Sequence, residues 1–302
     1  MEELSFDQAV ELFGLYCKSK GLAPRTVETY MFALEGLRSF LASSGEPTRL
    51  PERQDLRAYI THMLERGLSR GTVRVRMRSI RVFCNFVAHE GLVEVSPFEG
   101  VEIPKVPKTF PQVLTEEQIA KLIKAAGGKK WLDVRNRAIL LTFLDTGVRL
   151  SELVQLDLED LNLPAATLHI RRGKGGKERH VFIGRTLHKA LRKWLEVRGY
   201  AMREKALFVT RRDTRIDKRN VQRTLEHLAK KAGLAGARIT PHLLRHTFAT
   251  HYVRNGGDPF SLQRILGHSD IKTTMIYVNL ARASVKEAHA KASPVDRLFL
   301  VR

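Results

Sequence analysis

A phenol, two guanidiniums, two imidazoles and an ammonium group occur in the later part of this 302-residue chain, in stretches whose local patterns favour an anion. Tyr277 lies near the end of "LGHSDIKTTMIYV", nine residues after the turn histidine His268. A phenol has a pKa of about 10, so it serves as a nucleophile at neutral pH only beside cationic or basic neighbours. "TPHLLRHTFATHYVRNGG" puts His242 and Arg245 on one side of a helix, where both reach one ligand. His242 falls in the first turn, where free N–H groups and the helix dipole favour negative charge. "TGVRLSEL" supplies Arg149 just after a glycine break, with Glu152 one turn on to brace it. Taken singly, each has a plain structural alternative: an ion-paired arginine, a capping histidine, a core tyrosine.

"GKGGKE" carries Lys174 but is not a phosphate loop, since the GxxxxGK[ST] spacing is missing and no helix follows. The runs 167–172 and 179–183 on either side are β-compatible and predict a hairpin with Lys174 at its tip. A lysine so placed enters a groove and can donate a proton. The helices carrying the other groups are well punctuated. Thr240-Pro241 starts one that stops at Gly256-Gly257, Asp258-Pro259 starts the next, which stops at Gly267, and Ser269 is positioned to cap the last. In that last helix Ile271, Met275 and Val278 form an apolar stripe, so Tyr277 is expected on the polar side with its hydroxyl turned away from the core.

Four helices are expected before residue 100. In the fourth, "SRGTVRVRMRSIRVFCNFVAHEG", Val73, Met77, Ile80, Cys84 and Val87 fall on one face, and Arg70, Arg74, Arg78 and Arg81 line the adjacent one. No Glu interleaves with those arginines, which favours phosphate contact over a merely solvated charged face. Pro104, Pro107 and Pro111 then preclude a helix, and Thr115 with Glu116 and Glu117 opens a new one. The division expected is a helical domain over 1–103, a linker over 104–114 and a second domain over 115–302. The fold class is mainly α with a small antiparallel β-sheet.

Charge divides at the same place. Residues 1–110 hold 15 basic and 14 acidic side chains and the remainder 37 and 18, so the second segment carries nearly all of the net +20 and points to a polyanion. No apolar run spans a bilayer and the acidic start is not a signal peptide, so a cytoplasmic, nucleoid-associated protein is expected. Cys17 and Cys84 sit in apolar helical patterns and read as core thiols, with no metal-ligand spacing.

The stretches "TGVRLSEL", "GKGGKER", "HLLRHTF" and "LGHSDIKTTMIYV" occur in the order and wording of the tyrosine recombinases, and the chain resembles the Xer-type and the transposon or phage integrases. The resemblance implies a helical core-binding domain followed by a mixed α/β catalytic domain. It places the catalytic set on Arg149, Lys174, His242, Arg245, His268 and Tyr277. It further implies DNA cleavage through a 3′-phosphotyrosyl bond, with Arg149 and Arg245 on the phosphate oxygens and Lys174 as general acid. His242 and His268 would share proton transfer from the tyrosine and contact with the phosphate, roles the sequence does not rank. No cofactor or metal is implied. Duplex recombination sites, a tetramer on DNA and a partner recombinase are the partners to expect, with the apolar tail Leu298, Phe299, Leu300 and Val301 docking on the next protomer. The early start of the helical segment leaves no room for an arm-site domain, which favours short, simple sites. The rival readings are type IB topoisomerase-like cleavage and rejoining, and a non-catalytic DNA-binding protein built on the same fold.

Overall fold

The computed structural model of the chain describes residues 5–43, 49–107, 111–171, 178–199, 203–234, 236–281, 289 and 293–295. It separates into two compact units, residues 1–109 and 110–302. The first contains α1 (Phe6–Ser19), α2 (Pro24–Ser43), α3 (Arg53–Glu65) and α4 (Arg70–His89). Local capping starts several of these. Ser5 accepts from the Gln8 N–H and the Gln8 side chain accepts from the Ser5 N–H, while the Ser69 hydroxyl accepts from the Thr72 N–H at 3.2 Å. The α4 stripe of Val73, Met77, Ile80, Cys84 and Val87 is fully buried against Phe13, Leu34, Leu37 and Leu56. Burial leaves Cys17 and Cys84 as core thiols and pushes the latter's pKa to about 12. Arg70, Arg78 and Arg81 are exposed and Arg74 half-buried; none of the four forms an ion pair with a described residue, and Arg81 lies 4.7 Å over the Phe98 ring.

The second unit contains α5 (Glu116–Ala125), α6 (Trp131–Thr146), α7 (Leu150–Gln155), β1 (Leu161–Asn162), β2 (Thr167–Ile170), β3 (Arg179–Phe182), α8 (Arg185–Arg198), α9 (Lys218–Lys231), α10 (Pro241–Arg254), α11 (Pro259–Leu266) and α12 (Ile271–Ala281). The expected hairpin is present as β2 and β3, antiparallel with Leu168 opposite Val181, and the short β1 adds a third strand on β2. Lys174 lies outside the described residues. Chain leading into α5 is already fastened to this unit: the Leu114 N–H donates to Thr247 Oγ1 at 3.0 Å and the Leu114 carbonyl meets His251 Nε2 at 2.8 Å.

α6 is buried on most of its sides, as a central helix must be, and packs with α8 and α10. Its core neighbours include Trp194, whose indole N–H donates to the Leu207 carbonyl at 2.7 Å, satisfying the one polar atom it buries. A smaller cluster joins α10, α11 and α12 through Ala249, Val253, Leu262, Leu266, Tyr277 and Ala281. Both helices entering this cluster start as their sequences require. Thr240 accepts from the Leu243 N–H with Pro241 in the first turn, and Asp258 accepts from the Ser261 N–H with Pro259 following.

The last helix departs from expectation. Its inward face is Thr274, Tyr277 and Ala281, while Met275 and Ile276 are each 41% exposed. Tyr277 is therefore on the buried side, and the expected stripe is not the core face: Met275 is exposed, Ile271 half-buried, and only Val278 packs, partly buried, against the cluster. The physical reason is that the inward hydroxyls find partners on other elements, which removes the cost of burying them. Its first turn is held by Asp270, whose carboxylate accepts from the Lys272 N–H at 2.9 Å, rather than by the expected cap Ser269.

Candidate active site

Three consecutive carbonyls at the C-terminal end of α11 gather three arginines. Arg179 Nε donates to the Ile265 carbonyl at 2.6 Å, Arg245 to Leu266 at 2.8 Å and Arg149 to Gly267 at 3.5 Å. A helix C-terminus leaves its last carbonyls without intrahelical partners and carries partial negative charge, so guanidiniums collect there. Gly267 is left-handed at φ 64°, which ends α11 and turns the chain into His268.

Arg149 caps the start of α7, just beyond Gly147, the left-handed residue that ends α6 at φ 61°. Glu152 braces it as expected: one carboxylate oxygen accepts from the guanidinium at 2.7 Å and the other from the Arg149 backbone N–H at 2.8 Å. The same carboxylate takes both terminal nitrogens of Arg179 at 3.0 and 2.8 Å. Burial would raise the Glu152 pKa, but the hydrogen bonds and charge of Arg179 and Arg149 outweigh it and hold the group at about 2. The cluster thus sets one carboxylate against three guanidiniums, an excess of positive charge suited to an anion.

Arg245, only 5% exposed, sits among neutral partners. Beyond Leu266 it donates to the Gly147 carbonyl at 2.6 Å and shares a 3.0 Å contact with His268 Nε2. Burial and the nearby Arg149 lower its pKa to about 10, which still leaves it charged at neutral pH. His268 is fixed through both ring nitrogens, the second meeting Thr274 Oγ1 at 2.9 Å. Burial, then Arg245, Arg149 and Arg179, depress its pKa to about 4, so it is a neutral imidazole whose Nε2 accepts from Arg245.

Tyr277 completes the cluster. It is 3% exposed, its ring stacks near His268 at 6.3 Å between centroids, and its hydroxyl meets His246 Nδ1 at 2.9 Å. Burial raises its pKa, while Arg245 and Arg149 pull it down. His242 is exposed on the first turn of α10 and makes no hydrogen bond among the described residues, so the histidine meeting the phenol is His246, one helical turn further along. The structure therefore brings Arg149, Glu152, Arg245, His268 and Tyr277 together, and leaves His242 at the edge.

The phage integrase family model matches residues 112–284, and the model of its N-terminal SAM-like domain matches residues 10–91. The chain belongs to the tyrosine recombinases of the phage integrase family. It is 34% identical to tyrosine recombinase XerC of Thermodesulfovibrio yellowstonii over 285 residues, covering 92% of this chain and 93% of that protein. It is likewise 34% identical to XerC of Chromobacterium violaceum over 291 residues, covering 96% of each. Among solved structures, XerA recombinase aligns with a TM-score of 0.53 at 29% identity, over 95% of this chain and 99% of that one. The Tn1549 transposon integrase in complex with transposon right end DNA aligns with a TM-score of 0.75 at 21% identity, over 94% and 98%. That last likeness concerns the fold.

Two residues at the centre of this candidate site were not singled out in the sequence, Arg179 and His246. Each had a signal. Arg179 follows the glycine-rich stretch in a strand whose alternation points it inward, and His246 stands four residues after His242, on the same helical face.

Proposed function

We propose that this recombinase cuts and reseals duplex DNA at specific sites, with Tyr277 as the nucleophile. The observation that carries this reading is a buried phenol held in a hydrogen bond beside guanidiniums that have too few carboxylates to neutralise them. Tyr277 Oη attacks a backbone phosphorus to form a 3′-phosphotyrosyl ester. The developing charge on the non-bridging oxygens falls to Arg149 and Arg245, whose planar, permanently charged forks suit two oxygens at once. Three of Arg245's five N–H groups are committed to its fixed partners, so it is pre-aimed without being fully used. Glu152 orients Arg149, and Lys174 protonates the departing 5′ oxygen. Because the ester keeps the energy of the broken bond, attack by a 5′-hydroxyl from another strand rejoins the DNA without an external energy source.

We assign a helical unit over 1–103, a linker over 104–114 and a catalytic unit from 115, both units engaging the duplex, the first through Arg70, Arg74, Arg78 and Arg81 on phosphates. In the assembly we assign, four protomers hold two sites and exchange strands in pairs, alone or with a partner recombinase. The apolar tail Leu298–Val301 docks on the next protomer, a reading supported by a groove of about 600 Å³ whose lining sets Ile119, Leu144, Phe182 and Phe248 beside the polar Asp145 and His251. Among the described residues no helix is long and apolar enough to cross a membrane.

Tyr277→Phe tests the assignment. It should retain DNA affinity and abolish the denaturant-resistant covalent adduct on a nicked suicide duplex; an adduct that persists overturns the nucleophile.

A further inference from the structure

We propose that His246 takes the phenolic proton of Tyr277 during strand cleavage and returns it during resealing, an inference that rests on Tyr277 being the nucleophile. The contact is direct: His246 Nδ1 lies 2.9 Å from Tyr277 Oη, with ring centroids 5.7 Å apart, and both side chains belong to packed helices, α10 and α12.

The neighbouring groups leave no other acceptor for that proton among the described residues. The groups facing His246 are His242 and Arg245 from its own helix, Tyr277 from α12 and His268 from the turn before α12. Arg245 has no lone pair to offer. His268 has Nε2 engaged by Arg245 and Nδ1 by Thr274. Glu152 has both oxygens bound by Arg149 and Arg179. His242 is exposed and not bonded to the phenol. Burial, then His242 and Arg245, lower the pKa of His246, keeping it neutral in the resting protein, while burial keeps the phenol protonated; the hydroxyl therefore donates and Nδ1 accepts.

The step balances. As Tyr277 Oη bonds to phosphorus and the bond from phosphorus to the 5′ oxygen breaks, the phenolic proton passes to Nδ1 and the 5′ oxygen takes a separate proton from Lys174. The products are a phosphotyrosyl ester, a 5′-hydroxyl, an imidazolium at His246 and a neutral amine at Lys174. A bound phosphodiester offsets the charge of Arg149 and Arg245, raising the proton affinity of His246 when it is needed. In the reverse direction the imidazolium, beside Arg245, is driven to return its proton to the departing tyrosine oxygen.

The test is single-turnover adduct formation on a nicked suicide duplex across pH, for the unaltered protein, His246→Gln and Tyr277→Phe. A second reaction accompanies it: ligation of a DNA end bearing a 3′-p-nitrophenyl phosphate, in which nitrophenolate leaves without a proton and Tyr277 is bypassed. His246→Gln should slow adduct formation by about 10²–10⁴-fold, lose the acid-side inflection of the pH–rate profile, and ligate the nitrophenyl end as the unaltered protein does. Unchanged cleavage in His246→Gln overturns the proposal, and so does parallel loss of both reactions, which marks a structural role. An adduct from Tyr277→Phe overturns the underlying assignment separately.

Discussion

Glu152 has 1% of its side chain exposed and holds two guanidiniums, so removing its charge strands positive groups inside the protein. Glu152→Gln should destabilise the second unit by about 3–5 kcal/mol, the usual consequence of breaking one side of a buried ion pair, read by denaturant unfolding. The same carboxylate and His268 set an acid limit. The folded pKa of His268, about 4, lies below its ordinary 6.5, so stability present above pH 6.5 is lost as the pH falls towards 4. Glu152, at about 2 against 4.5, adds a further loss between those values. Thermal midpoints across pH should therefore decline in two stages, and His268→Gln should shrink the upper stage, which the lowered pKa of His246 shares, while leaving the lower one in place. The residue scale is also where sequence reading was most uneven. Arg149, Arg245 and Tyr277 could be picked out only together, through the ordered motifs that carry them, since each alone had a structural alternative; "HLLRHTF" offers two histidines, and only the packing of α10 against α12 decides which one meets the phenol.

At the scale of elements, the starts and stops of α10 and α11 were legible because capping is settled by residues within one turn of each other. The facing of α12 was not. Its inward side is chosen by partners in α10 and in the preceding turn, so periodicity alone selected the wrong stripe. Gly147 shows how tightly an element end is specified. A Cβ there would lie 2.4 Å from Phe248 Cδ1, on a backbone already at φ 61°. Gly147→Ala should cost about 1–3 kcal/mol from overpacking, with left-handed strain added, and should displace the carbonyl that holds Arg245. A lowered melting temperature together with slowed adduct formation is the expected pair of readings.

For the whole molecule, the near-neutral first unit has one narrow device proposed for phosphates, the arginine face of α4, whereas charge is abundant in the second unit. Replacing Arg74 and Arg78 together with Ala should lower the slope of log affinity against log salt by about 0.9 per lost phosphate contact, measured by titration at several ionic strengths. The unaltered slope would show those side chains to be bystanders. Composition made this division visible from the chain alone, since fixed charges need no fold to be counted.

Arg245 ties the end of α6, the end of α11 and the turn histidine to α10. It is therefore a fastener, apart from the role proposed for it on a phosphate. Breeding this protein for heat tolerance, with no demand that it act on DNA, should still retain an arginine at that place, and a library sorted only for solubility should report the position as intolerant.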